Sequence, residues 1–136
     1  MPLTGLLGTD SSNEYMMTRI GGEEAIFVNA TSTNAAATAN GAFGIITTES
    51  LTSPAAVVYS LVLTNSFIGA GDIVQAQVGN GTNTQGTPTV AYVTPAAGSA
   101  TIVINNTHTA TAYSGTLKIS YTVIKAATTP IPVLSS

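Results

Sequence analysis

The chain contains no cysteine and no tryptophan, a single histidine, and only three basic and six acidic residues in 136. Without cysteine there can be no disulfide framework and no thiolate metal site, and the redox compartment is left open. Charged residues make up 7% of the chain, against roughly 25% in an average soluble domain. So few ionisable groups argue against catalysis, which normally draws on converging side chains of shifted pKa. A net charge of −3 argues against nucleic acid, whose phosphates need clustered Lys and Arg. No basic n-region precedes an apolar stretch near Met1. The apolar run from Ala55 to Leu63 is broken by Ser60 and is too short to cross a bilayer. The expectation is a soluble chain made in a cytoplasm, with no membrane partner and no obvious export route.

Thr, Ser, Asn, Ala and Gly fill the places that charge has vacated. A surface of this kind has little electrostatic repulsion to hold molecules apart, which suits a protein packed against neighbours. From Pro54 onward a period of two dominates. Val57, Tyr59, Leu61 and Leu63 share one face, with Val58, Ser60, Val62 and Thr64 on the other. Val74, Ala76 and Val78 alternate with Gln75 and Gln77, Val90 and Tyr92 with Thr89 and Ala91, and Ile102 and Ile104 with Thr101, Val103 and Asn105. Leu117, Ile119, Tyr121 and Val123 alternate with Thr116, Lys118, Ser120 and Thr122. This alternation predicts antiparallel strands with one buried face. Gly, Asn and Pro clusters separate the strands at sandwich-like spacing. Upstream, Ala25–Val28 and Phe43–Thr47 read as short strands, and the small-residue tract Asn29–Gly41 between them as a loop. The fold class is therefore all-β, an antiparallel β-sandwich or jelly-roll-like arrangement with extended N- and C-terminal arms. The N-terminal arm spans residues 1–24, the sandwich 25–125 and the C-terminal tail 126–136. Two prolines, Pro130 and Pro132, favour an extended path for the tail.

Each candidate site reads more simply as structure. His108 lacks the carboxylates and further ligands that a triad or a metal site needs, and is expected to be an exposed loop residue. Asp10-Ser11-Ser12-Asn13-Glu14 is rich in oxygen but lacks EF-hand spacing and its glycine. Glu23-Glu24 reads as a solvated pair after Gly21-Gly22. The glycines between residues 69 and 86 read as turn residues needing positive φ, with no phosphate-cradle motif. Tyr92 and Tyr121 fall on the core register. Tyr113, beside Ser114-Gly115, is the one tyrosine placed to stack on a sugar. The sequons at Asn29, Asn80 and Asn105 are chance products of abundant Asn and Thr. No cofactor and no metal is expected.

The segments Tyr59–Ser66, Ile73–Val78, Ala100–Asn106 and Ser114–Val123 together resemble small all-β virion structural proteins of tailed bacteriophages, the head-decoration (cement) proteins and the β-rich modules of fibres. The resemblance covers about residues 55–125 and is one of texture and strand pattern. It implies a protein that cements a capsid by binding the major capsid protein and its own copies, as a trimer or another symmetric cluster, on the capsid exterior. Leu3, Leu6 and Leu7 in one arm, with Ile131, Val133 and Leu134 in the other, are the expected interface residues. The alternative is a receptor- or glycan-binding knob of a head or tail fibre, working through loops 79–88 and 105–115. A cellular adhesin or surface-layer subunit is disfavoured by the lack of an export signal.

Overall fold

The computed structural model describes residues 19–20, 23–24, 27–52 and 54–126. The arm residues Leu3, Leu6, Leu7, Ile131, Val133 and Leu134 lie outside the described residues, as does the segment Asp10–Glu14. Every regular element described is a strand: β1 (Arg19–Ile20), β2 (Glu23–Glu24), β3 (Phe27–Thr31), β4 (Ala36–Thr38), β5 (Phe43–Thr47), β6 (Val58–Thr64), β7 (Ile73–Asn80), β8 (Pro88–Ala96), β9 (Ser99–Asn106) and β10 (Leu117–Ile124). β1 and β2 form a small antiparallel ladder. The rest build two four-stranded sheets, ordered β3-β5-β10-β7 and β4-β6-β9-β8.

The sheets are mixed, which corrects the antiparallel expectation. β3 runs parallel to β5, and β4 parallel to β6. Alternation reports which face is buried but not strand direction, so the pattern could not reveal this. The tract expected to be a loop is the cause. β3 continues to Thr31, Asn34 and Ala35 turn with φ of 52° and 59°, and β4 descends on the opposite sheet. Two positive-φ residues between the mutually hydrogen-bonded Thr33 and Ala36 make the tight reversal typical of a hairpin. Small side chains suit this crossing, where Ala37, Ala39 and Ala42 are all buried.

Both sheets contribute to one apolar core, a β-sandwich-like arrangement. Tyr59, Leu61 and Leu63 of β6 and Ala100, Ile102 and Ile104 of β9 join Val74 of β7, Ile46 of β5 and the whole inward row of β10, Leu117, Ile119, Tyr121 and Val123. Gly44 of β5 sits on this inward face opposite Tyr121; an added Cβ there would lie 2.2 Å from the Val28 carbonyl and 3.1 Å from the Tyr121 ring. The glycine leaves room for the neighbouring strand's carbonyl and for the tyrosine ring.

Three tyrosine and valine placements differ from the sequence reading. A bulge between Val90 and Tyr92 inserts Ala91, so Val90 and Val93 face inward while Tyr92, opposite Val103, is 61% exposed. Tyr113, expected at the surface, is 2% exposed, and its hydroxyl has no partner among the described residues. Val57 precedes β6 and is 43% exposed. Of the glycines between 69 and 86, only Gly86 has positive φ. The Leu61→Ala variant should lose about 2–5 kcal/mol, because a fully buried central side chain leaves a cavity. Tyr92→Ser should stay within about 0.5 kcal/mol of the parent. Chemical denaturation of both variants checks the assignment of faces, and a large loss at Tyr92 would contradict the bulge.

Candidate interaction surfaces

Glu49, Asp72, Lys125 and His108 are engaged in holding loops. Glu49, which the sequence left unassigned, accepts hydrogen bonds from the Ala35 amide at 2.8 Å, the Tyr59 hydroxyl at 2.9 Å and the Ser32 hydroxyl. Burial works against its charge, but the hydrogen bonds from Ser32, the backbone and Tyr59 outweigh it and hold the carboxyl below its ordinary range. Burial, together with the facing carboxylate, pushes the Tyr59 phenol up. Asp72 accepts from the Ala126 amide at 2.8 Å and the Gly69 amide at 2.7 Å, and pairs with the Lys125 ammonium at 2.5 Å. The Ala126 amide, then Lys125, lower its pKa to about 2. Lys125 also donates to the Phe67 carbonyl and lies 4.9 Å above that ring. The cluster fastens the end of β10 to the loop before β7.

His108 is half-buried and has partners, which corrects its reading as an exposed residue free of contacts. Its Nδ1 accepts from the amides of Ala110 and Thr111, both at 3.0 Å, so the ring closes its own loop. Loop geometry alone produced these bonds, and no residue pattern announced them. Three buried asparagines do comparable work. Asn65 donates to the Gly41 carbonyl and accepts from the Phe67 amide. Asn106 accepts from the Thr87 and His108 amides and donates to the Thr111 carbonyl. Asn83 accepts from the Ser114 amide and donates to Asn80 and the Gln85 carbonyl.

The two ends of the domain differ. At one end, loops 81–87 and 107–116 are laced by Asn83, Asn106 and the Thr82–Thr116 and Thr84–Ser114 hydroxyl pairs, presenting Thr, Ser and Asn. At the other, the outward face of the first sheet carries Phe27 and Phe43, stacked edge to face at 5.6 Å, and the cross-strand pair Ile124–Ile73. Phe27, Ile73 and Ile124 are exposed. Residue 27 opens β3 and residue 124 closes β10, so the segments that carry the expected arm residues join the domain at this apolar end. The second sheet presents Val58, Val62 and Tyr92 outward. No family model, curated protein or solved structure matches this chain.

Two measurements test the loop ties. Asn106→Leu should cost at least about 2 kcal/mol, because it strands several backbone groups in a buried loop junction. Asp72 has a depressed pKa, so its stabilisation is complete above the ordinary carboxyl value near 3.8 and fades as pH falls toward about 2. Melting curves of the parent and Asp72→Asn should therefore differ at neutral pH and converge as pH falls through that window. A difference that persists unchanged at pH 2 would refute the assignment.

Proposed function

We propose that the chain is a non-catalytic structural module of a virion, which attaches to an assembled capsid through its apolar end and cements it by binding the major capsid protein and its own copies. The observation that carries this reading is the polarity of the domain. Phe27, Ile73 and Ile124 are exposed on one outward sheet face, with the partly exposed Phe43 and Ile45 on the same face, and exposed apolar side chains grouped in this way mark interaction surfaces. Both terminal segments join the domain beside that face, and the proposal gives Leu3, Leu6, Leu7, Ile131, Val133 and Leu134 the role of interface arms. The resemblance to head-decoration proteins supplies the partner and the preference for a trimer. A jelly-roll ancestry for the sandwich belongs to the same proposal.

The laced loops at the far end favour a second reading, a receptor- or glycan-binding knob. Loops 79–88 and 105–115, far apart in sequence, form one fixed hydroxyl- and amide-rich surface. Such a surface offers pre-placed donors and acceptors without charge.

Co-sedimentation with capsid shells separates the two. Phe27→Ser combined with Ile124→Ser, or deletion of residues 1–12 or 128–136, should weaken attachment at least tenfold, about 1.4 kcal/mol, with little change in the melting transition. Thr84→Ala with Ser114→Ala should leave attachment intact. Apolar-end and arm variants that attach as well as the parent would sink the cement reading and promote the knob.

A further inference from the structure

β7 forms one edge of the first large sheet and faces β8 of the second across an open groove. Four strands form the edges of the two large sheets: β3, β7, β4 and β8. Exposed edges invite uncontrolled pairing unless they are short, charged, bulged or interrupted by proline. β4 is three residues long, and β8 carries Pro88, Pro95 and the bulge at Ala91. β3 is five residues long and uncharged. β7, whose outer edge lies close beside β8, likewise carries no charge, proline or bulge. It is eight residues long, with the sequence Ile-Val-Gln-Ala-Gln-Val-Gly-Asn and no charged side chain.

Which backbone groups face the edge follows from β10. The Leu117 carbonyl bonds to the Thr48 amide and the Val123 amide to the Ala42 carbonyl, so odd-numbered residues of β10 point toward β5. Even-numbered ones therefore exchange bonds with Ile73, Gln75, Gln77 and Gly79 of β7. The N–H and C=O groups of Val74, Ala76 and Val78 point the other way and have no hydrogen-bond partner among the described residues. An open groove of about 530 Å³ runs beside them, lined by Val74 to Gln77, by Ser120 and Thr122, and by Val93 of β8 on its far wall.

Val74-Gln75-Ala76-Gln77-Val78 reads the same in both directions. We infer that β7 pairs antiparallel with β7 of a second copy about a two-fold axis at Ala76. Ala76 then meets Ala76 of the mate, and Val74 meets Val78 on the inward side. On the outward side Gln75 meets Gln77, each amide both donor and acceptor. Ile73, 55% exposed, meets Gly79, which leaves room for it. Each of the pairs at 74, 76 and 78 exchanges two backbone hydrogen bonds. No charge meets a charge anywhere in the strip, and an isologous contact of this kind closes at two copies. The mates point their apolar ends in opposite directions, so both cannot seat on one flat shell. Pairing is thus a property of the free protein and stands whether or not the chain binds capsids.

Sedimentation equilibrium of the full chain tests this. The parent should approach twice 13.7 kDa as concentration rises into the micromolar range. Gln75→Lys with Gln77→Lys sets lysine against lysine across the axis and should remain monomeric with an unchanged melting transition. Gln75→Glu with Gln77→Lys sets glutamate against lysine in this register alone and should restore the dimer. A parent that stays monomeric, a double-lysine variant that still dimerises, or a glutamate–lysine variant that fails to dimerise would each overturn the inference. Capsid attachment is read separately, so either proposal can fail without the other.

Discussion

Buried amide side chains hold this fold at the places where its strands must reverse. A chain with so few charges has few ion pairs with which to fix loops, yet every strand end leaves backbone groups that need partners once they leave water. Asn65 and Asn106, both without exposed surface, supply them at opposite ends of the domain. The first ties Gly41, Phe67 and the Tyr121 hydroxyl together; the second ties Thr87, His108 and Thr111. An amide offers two donors and an acceptor oxygen, so one side chain can join three segments without the desolvation cost of a charge. Where ions are used, as at Asp72 and Lys125, the carboxylate is saturated by amides as well as by the ammonium.

These ties allow the unusual path of the chain. From β3 to β8 each successive strand changes sheet, and only β8 and β9 are a hairpin within one of the two large sheets. A connection that crosses the core at every step brings distant loops to common ends, which is why Asn83 reaches Ser114 and Asn65 reaches Tyr121. Most of the interactions that close the domain are therefore long in sequence, and formation of any one sheet requires strands delivered by the other.

The inward rows of β6, β7, β9 and β10 were legible because burial on one face imposes a period of two that composition cannot hide. The same signal misplaced Tyr92, since the bulge at Ala91 shifts the register by one residue without leaving a mark such as glycine. It also missed β4, whose Ala36-Ala37-Thr38 has no apolar contrast to alternate. Parallel pairing of β3 with β5 depends on the turn at Asn34 and Ala35, where an alanine takes positive φ against its preference and no motif forewarns of it. Of the candidate surfaces, the arm residues lie outside the described residues. The apolar patch drew on Phe27 and Phe43, which the sequence treated as ordinary strand positions, and on Ile124, which it did not single out. Their convergence depends on strand order, and order is what local patterns do not encode.

The same scarcity of charge shapes both the surface and the edges. Lysine is one common guard of exposed strands, and here β4 is guarded instead by its shortness and β8 by proline and a bulge. Leaving β7 bare would be hazardous in a strand that accepted any partner in any register. Its symmetric sequence narrows the choice, because sliding the mate by one residue would set valine against glutamine and turn the inward row outward. Selectivity can thus come from register and from hydrogen-bond direction in a protein that has little charge with which to enforce it.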